Sequence, residues 1–235
     1  MKSNNTKKTT ETNFGCEFCG RTFLRESTVF HHICETKRRW QDKDKKGNRI
    51  GFQSWLQFYT KNISTKKKRE YMDFIKSSYY LAFVRFGIYC SEVNVINISR
   101  YIDWLLDNKI KIDVWTSDIN YTKFLLSYLR EENSMDAVAR SIETMIDLSV
   151  IEKISARDIL RYGNRNKICY MITTGKISPW VLYHSESGRK FLDGLDETQV
   201  KMIVDYINPE LWAIKFKRDN ETVQHVKGLL NEAGY

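Results

Sequence analysis

Apolar side chains recur every three or four residues along most of the chain beyond residue 50, a spacing that places them on one face of an α-helix. Residues 50–62 are the first such segment, with Phe52, Trp55 and Tyr59 on one face. Residues 77–91 are apolar on nearly all sides, which predicts a buried central helix. Similar patterns predict further helices over 71–76, from 99, from 118, from 134, over 155–162, over 164–174, from 178, from 196 and over 222–233.

Local signals mark two helix starts and one segment of different period. Pro179 after Ser178 suits the first helical position, and Asp196 with Gln199 has the spacing of a capping box. Residues 212–217, WAIKFK, alternate apolar and basic side chains, which predicts a short strand. The body is therefore expected to be a mainly α, multi-helix domain with at most a short β-strand or hairpin near the C-terminus.

The composition favours a soluble intracellular protein. Of 235 residues, 42% are hydrophobic and 13% aromatic, which is enough for a sizeable core. Residues 1–13 lack the apolar stretch of a signal peptide, and the most apolar run, 79–90, is too short to span a bilayer and contains Arg85. Five cysteines, an odd number, argue against a disulfide framework. We expect a cytoplasmic protein with no membrane partner, in which Cys90 and Cys169 are buried thiols.

Three of the five cysteines and two of the four histidines lie between residues 16 and 34. Cys16 and Cys19 form a CxxC pair, whose turn can present two thiolates to one metal ion. Three residues separate Cys19 from Phe23, and twelve separate Cys19 from His32. A chance cluster of reduced thiols and incidental histidines is the alternative to a metal site.

Residues 14–36 resemble the two-Cys, two-His zinc finger, because the knuckle, Phe23, Val29 and His32 all fall in that family's register. The resemblance implies a small ββα-like unit with Phe23 and Val29 as its core. It also implies a structural Zn²⁺ with four protein ligands, which leaves no open position for catalysis.

The fourth ligand departs from the family pattern. Where the family places it, the chain has Thr36, Lys37 and Arg38, none of which is a usual zinc ligand. Cys34 is the nearby candidate, so the predicted set is Cys16, Cys19, His32 and Cys34. His31 is an alternative to His32, because one helical face can carry His31 and Cys34. His32 and Cys34 require the helix to end at His32 and the chain to turn.

Positive charge is concentrated near the N-terminus. Residues 1–70 contain 17 Lys and Arg against 7 Asp and Glu, a net charge of +10, whereas the remainder has 21 against 22. Such a block favours phosphate binding, although a solvated basic tail has the same composition. The predicted organisation is a disordered basic tail (1–13), the finger (14–36), a basic linker or helical extension of the finger (37–49) and a helical domain (50–235).

The zinc-finger register also implies which side chains contact nucleic acid. Base contacts would come from Arg25, Thr28 and His31, although these three also suit an ordinary exposed helix face. Phosphate contacts are expected from two basic runs. They comprise Lys37, Arg38 and Arg39, and then Lys66, Lys67, Lys68 and Arg69. Trp40 could stack on a base or pack on the next domain.

The body carries no recognisable catalytic motif. His184 near Glu186 suits a surface or capping position, and the four aspartates between 103 and 118 suit helix faces and caps rather than a nuclease site. Arg161, Arg165 and Lys167 form a basic cluster that could extend a phosphate track or be an ordinary loop.

The expected function is that of a zinc-finger nucleic-acid-binding protein, for duplex DNA rather than RNA, in a regulatory or accessory role. The order of finger, KRR segment and aromatic-rich helical body resembles uncharacterised proteins of tailed phages, which would imply a host cytoplasm. The helical domain is expected to bind a protein partner or to self-associate. The alternative is a protein–protein adaptor that uses both the finger and the helical body.

Overall fold

A computed structural model of the chain describes residues 13–62 and 68–235. Nearly all of the predicted basic tail, together with Lys66 and Lys67, lies outside the described residues. The chain divides into two compact units, unit 1 up to Ser91 and unit 2 from Glu92 to Tyr235. Each unit is described by itself.

Unit 1 begins with a two-stranded antiparallel hairpin and continues as helices. Phe14 pairs with Phe23 and Gly15 with Thr22 in the hairpin. The elements are β1 (Phe14–Gly15), β2 (Thr22–Phe23), α1 (Glu26–His31), α2 (Glu35–Gln41), a 3₁₀ turn (Asp42–Asp44), α3 (Lys46–Asn62), α4 (Tyr71–Lys76) and α5 (Tyr80–Val93), whose last two residues belong to unit 2.

The described part of unit 2 is helical. Its α-helices are α6 (Ile98–Asp107), α7 (Asp118–Glu131), α8 (Ser134–Glu152), α9 (Ile159–Tyr162), α10 (Arg165–Thr173), α11 (Pro179–His184), α12 (Glu186–Asp193), α13 (Glu197–Ile207), α14 (Pro209–Arg218) and α15 (Asn220–Glu232). Short 3₁₀ turns at Ile112–Val114 and Ala156–Asp158 join some of them. The predicted mainly α fold with a small hairpin and helix at its start is confirmed.

Two predicted helix starts are confirmed in detail. Ser178 caps α11 by accepting a hydrogen bond from the N–H of Trp180, with Pro179 in the first turn. Asp196 and Gln199 form a reciprocal capping box at α13. Both satisfy backbone donors that a helix start would otherwise leave unpaired.

The predicted strand at 212–217 is wrong, because these residues belong to α14. Asn208 caps this helix by accepting from the N–H groups of Glu210 and Leu211, and Pro209 follows it, as Pro179 follows Ser178. Within the helix Trp212 is buried, whereas Ile214 is 51% exposed. The alternation WAIKFK therefore does not correspond to alternating faces of a strand.

Of the two alternatives for residues 37–49, a basic linker or a helical extension, the structure shows the helical one, whereas the predicted central helix differs from expectation. Residues 37–49 are folded into α2, the 3₁₀ turn and the start of α3, and residue 50 lies inside α3. Helix α5 is buried on one face only, since Leu81 and Ile88 are 53% and 44% exposed.

Helices α3 and α5 meet through glycines. A Cβ atom on Gly87 would lie 2.0 Å from the carbonyl oxygen of Gly47 and 2.6 Å from the backbone nitrogen of Gly51. No side chain fits between these backbones, so the two helices approach more closely than larger residues permit.

The core of unit 2 includes a buried ion pair and a buried histidine. The guanidinium of Arg140 donates to both carboxylate oxygens of Glu132 at 2.7 and 2.8 Å, and its Nε donates to the carbonyl of Gly175 at 2.8 Å. His184 is only 8% exposed. The prediction of a surface or capping position for His184 is therefore wrong, whereas Glu186 is exposed and pairs with Lys190.

His184 packs among aromatic rings, and one of its ring nitrogens has no hydrogen-bond partner. Its ring centroid lies 4.3 Å from that of Phe216 and 5.7 Å from that of Trp180. Its Nε2 is buried without a hydrogen-bond partner. Burial, with help from Lys227 and Arg189, lowers the pKa of His184 to about 4.

Among the described helices, none combines the length and apolarity that crossing a bilayer requires.

Replacing Gly87 with Ala should destabilise unit 1. The added methyl group must displace the Gly47 backbone, and overpacking of this kind costs about 1–3 kcal/mol or more. A Cβ on Gly228 in α15 would meet no atom within 4 Å, so Gly228→Ala should instead stabilise by about 0.5–1 kcal/mol through helix propensity. Urea unfolding followed by circular dichroism measures both. An equally stabilised Gly87→Ala variant would contradict the close approach of α3 and α5.

The buried His184 should make the protein less stable in acid. Because its pKa is depressed in the folded state, the unfolded chain takes up a proton below about pH 6.5 that the folded chain excludes down to about pH 4. Stability should therefore be complete above pH 6.5 and fall by up to about 3 kcal/mol as the pH falls through this window. The free energy of unfolding against pH should flatten between pH 6.5 and 4 in His184→Leu relative to wild type. The same replacement at the exposed His225 is the control, and identical pH profiles for wild type and His184→Leu would refute this account.

Candidate metal centre

The hairpin places Cys16 and Cys19 on one tight turn. The N–H of Cys16 donates to the carbonyl of Arg21 at 2.8 Å, and the N–H of Gly20 donates to the carbonyl of Cys16 at 2.8 Å. Gly20 has a φ of +74°, a conformation that costs glycine little. The CxxC turn therefore returns the chain directly into β2.

Backbone N–H groups at this turn face the two sulfurs. The N–H of Cys19, followed by that of Phe18, lowers the pKa of the Cys16 thiol. At Cys19 the N–H of Arg21 also favours the thiolate, but desolvation and the neighbouring Cys16 and Cys34 thiols outweigh it, so the pKa of Cys19 is raised. Adjacent thiolates repel one another, and a bound divalent cation would remove that cost.

His32 lies where α1 ends. Its backbone is extended, with φ −69° and ψ 120°, and its N–H donates to the carbonyl of Val29 at 3.1 Å. Its imidazole ring packs on Phe23 with centroids 4.9 Å apart, and its Nε2 lies 3.3 Å from the Sγ of Cys19. The helix end that the His32 and Cys34 pairing requires is therefore present.

Cys34 begins the next helix. It occupies the N-cap position of α2 in an extended conformation, and its Sγ accepts a hydrogen bond from the N–H of Lys37 at 3.4 Å. Two residues after His32, the chain has thus turned enough to bring the third sulfur back to the first two.

The four predicted ligands lie close together and could bind a metal ion. One ligand atom from each of Cys16, Cys19, His32 and Cys34 lies within 4.8 Å of all the others. Ligand atoms around a tetrahedral zinc ion are about 3.5–3.8 Å apart for bonds of about 2.3 Å to sulfur and 2.0–2.1 Å to nitrogen. Small adjustments of these distances would produce that geometry, including a slight lengthening between Cys19 Sγ and His32 Nε2, which are 3.3 Å apart.

The remaining candidates lie outside the cluster. His31 is exposed, and its ring makes an edge contact with Phe30 at 5.3 Å. Cys90 and Cys169 are buried, at 2% and 0% exposure, as predicted. Burial raises the pKa of Cys90 to about 12, which makes it an unreactive thiol.

The hairpin and α1 have little core of their own. Helix α1 has six residues and buries none of them, while Phe23 and Val29 are half-buried. Isolated helices of this length are unstable in water. The hairpin and α1 therefore need a cross-link, such as a bound metal ion, to keep their arrangement.

The finger also exposes apolar side chains that sequence reasoning overlooked. Leu24, Phe30 and Ile33 are 73%, 77% and 67% exposed. The three predicted base contacts, Arg25, Thr28 and His31, are exposed as well.

The KRR segment does not present three equivalent cations. Lys37 donates through Nζ to the carbonyls of Phe30 and His32, both at 3.2 Å, across the end of α1. Arg39 donates to the carbonyl of Ile75 at 2.8 Å, and its guanidinium lies 4.4 Å from the centre of the Tyr80 ring. Arg38 is exposed and pairs with Glu35 at 3.2 Å. Only Arg38 of the three is exposed.

The second basic run is described only in part. Lys68 is exposed, and Arg69 lies over the ring of Tyr59 at 4.2 Å and that of Trp55 at 5.6 Å. Lys66 and Lys67 lie outside the described residues.

Trp40 packs within unit 1 and connects the finger to the helices. Its ring centroid lies 6.1 Å from that of Phe18, a residue between Cys16 and Cys19 in the sequence. It also lies 5.8 Å from the ring centroid of Tyr71 at the start of α4. The hydroxyl of Tyr71 donates to the carbonyl of Arg39 at 3.2 Å. A tryptophan in a charged segment, KRRW, was the sequence signal for this contact.

No protein-family model, curated protein or solved structure matches this chain. What the cluster can do therefore follows from its own geometry.

The full-length protein should bind one zinc ion per chain through the four clustered residues. Cys34→Ser should abolish or badly weaken zinc binding, because a hydroxyl is a far poorer zinc ligand than a thiolate, while serine preserves the N-cap of α2. His31→Ala should retain the metal. Elemental analysis of the purified, reduced variants gives the stoichiometry. Equal zinc loss in both variants would show that the histidine assignment is wrong.

Proposed function

We propose that this is a zinc-dependent nucleic-acid-binding protein whose finger, residues 14–36, is folded by a structural Zn²⁺. The observation that carries the metal assignment is the set of three sulfurs and one imidazole nitrogen within 4.8 Å of one another. Soft thiolates with one imidazole favour Zn²⁺ over Mg²⁺ or Ca²⁺, which prefer oxygen ligands.

A structural role suits the cluster better than a catalytic one. Four protein ligands fill a tetrahedral zinc, so no position is left for a reacting water. The ligands also come from three successive pieces of structure, namely the knuckle, the end of α1 and the start of α2. Binding one ion fixes all three pieces relative to one another, which is how small zinc domains gain folding free energy.

Nucleic acid is the proposed ligand because of where the charge lies. The first 70 residues have a net charge of +10 and the remaining residues a net charge of −1. Arg25 and Arg38 are exposed at the finger and at α2, where phosphates can reach them. Duplex DNA is the expected target, since Arg25, Thr28 and His31 occupy the register from which fingers contact base edges.

A single finger covers only about three base pairs, so it cannot select a site in a genome by itself. Other cations must add affinity, and the sequence-independent phosphate term is the natural source. An accessory role in DNA transactions, with modest sequence preference, fits this arrangement better than that of a stand-alone sequence-specific regulator.

A protein–protein adaptor is the second candidate. Leu24, Phe30 and Ile33 expose apolar side chains on a unit of about twenty residues, and exposed apolar patches are typical of protein interaction sites. In that case the finger would dock on a protein and the basic residues would contact acidic groups on it.

The salt dependence of binding tests the proposal. The zinc-loaded full-length chain is titrated into labelled duplex DNA, single-stranded DNA and RNA of one sequence, with anisotropy as the readout, at several salt concentrations. Arg38→Ala should weaken binding to all duplex sequences alike and flatten the log–log salt slope by about 0.9, the value for one phosphate contact. Arg25→Ala should instead cost about 1–3 kcal/mol on a preferred sequence and relax the preference there.

The control is Lys201→Ala, which removes an exposed lysine of unit 2. Lys37 and Arg39 are unsuitable for this test, because both donate to main-chain carbonyls and their loss would disturb the fold. If the zinc-loaded wild type binds none of the three nucleic acids at low salt, the proposal fails and the adaptor is favoured.

A further inference from the structure

The basic cluster noted in the sequence at residues 161–167 becomes part of a cleft in unit 2. The cleft has a volume of about 420 Å³ and lies between α9, the start of α10 and α12. We call it the basic cleft. Its lining residues are Leu160, Arg161, Tyr162, Arg165, Lys190 and Phe191. Lys167 is not among them and instead pairs with Glu152 at 3.2 Å.

The cleft combines a hydrophobic floor with one exposed aromatic ring. Leu160 and Phe191 are 3% and 2% exposed, so they form a fixed base. Tyr162, the last residue of α9, is 72% exposed. A largely exposed aromatic ring beside cations is a suitable platform for a nucleobase, because every base presents a π-face and stacking needs no particular sequence.

Three cations line the same cleft as this ring, and two of them form only exposed ion pairs. The closest atoms of Arg161 and Asp158 are 3.6 Å apart, and Lys190 pairs with Glu186 at 2.6 Å with both side chains at least 60% exposed. Exposed ion pairs of this kind contribute little stability, so a phosphate group can compete for both cations. Arg165 is anchored differently, since its guanidinium donates to the carbonyl of Gly194.

The net charge around the basic cleft stays positive, and so favours a phosphate, when Asp158 and Glu186 are counted. Lys190 lowers the pKa of Glu186, with further contributions from Arg161 and Arg189, so this carboxylate lies among several cations. The three positive charges of Arg161, Arg165 and Lys190 outnumber the two negative charges of Asp158 and Glu186.

We propose that the basic cleft binds a nucleotide unit, with its base stacked on Tyr162 and its phosphate held by Arg161 and Lys190. The volume lies within the range of sites that enclose small molecules. Such a unit is available from single-stranded nucleic acid or from a free nucleotide. The proposal does not depend on the finger, because every lining residue belongs to unit 2.

Photocrosslinking of the full-length protein locates the contact. The probe is a single-stranded oligothymidylate containing one 5-iododeoxyuridine, and the crosslinked peptide is identified by mass spectrometry. The expected crosslink is at Tyr162, and it should persist in Cys34→Ser, which disables the finger. Crosslinks confined to peptides of the finger would overturn the cleft proposal while leaving the proposed function of the finger intact.

Affinity measurements with matched controls test the assigned roles. Tyr162→Ala should weaken oligothymidylate binding by roughly 5- to 100-fold, the effect of losing one stacked base, whereas Tyr170→Ala, at another exposed tyrosine, should not. Lys190→Ala should weaken binding and Lys201→Ala should not, although both lysines form an exposed pair at 2.6 Å with a glutamate one helical turn away. Unchanged affinity in Tyr162→Ala or Lys190→Ala would overturn the proposal.

Competition distinguishes the source of the ligand. Thymidine monophosphate that displaces the oligonucleotide at equal nucleotide concentration would identify a free nucleotide as the ligand, whereas weak displacement would identify the polymer. Inorganic phosphate is the control. If it displaces the probe as well as the nucleotide does, the base makes no contribution and the proposal fails.

Discussion

The sulfur of Cys34 takes part in both the cluster of potential metal ligands and the start of helix α2 in unit 1. It belongs to the cluster of four potential ligands, and it also accepts the Lys37 N–H at the start of α2. A metal ion bound by these four residues would therefore also fix where α2 begins, because Cys34 is both a potential ligand and the N-cap of that helix.

The residues that follow Cys34 carry this constraint into the helices. Trp40 contacts both Phe18 of the knuckle and Tyr71 of α4, while Arg39 donates to the carbonyl of Ile75. Trp40 thus serves as a packing group, and Arg39, a member of the first basic run, serves as a hydrogen-bonding group. A long cationic side chain buries its stem and uses its donors wherever unpaired carbonyls are available. Counting Lys and Arg therefore overestimates the charge that a ligand can reach.

Part of the candidate site could be predicted from local spacing, because a CxxC turn is local geometry, whereas the choice of His32 over His31 rested on the resemblance to the zinc-finger register. Some helix starts could also be predicted, as at Asp196 and Gln199, because local hydrogen bonds determine where such a helix begins. The strand predicted at 212–217 failed because Trp212 and Phe216 suit both a period of two and an i, i+4 helical pair. The Asn208 cap and Pro209 were the signal that should have decided between them. Tertiary contacts such as Gly87 against Gly47 left no pattern in one sequence.

Residues 14–36 of unit 1 and the body of unit 2 differ in how much buried core stabilises them. Residues 14–36 bury little, since α1 buries none of its six residues, so a bound metal would supply a cross-link that they otherwise lack, and all four potential ligands belong to unit 1. Unit 2 has its own buried rings and ion pair, including Trp180 and the Glu132–Arg140 pair. Metal loss should then affect the structure of residues 14–36 and leave the core of unit 2 intact. If residues 14–36 and the basic cleft each bind one strand, as proposed, linking two weak sites in one chain would raise the affinity above that of either site alone.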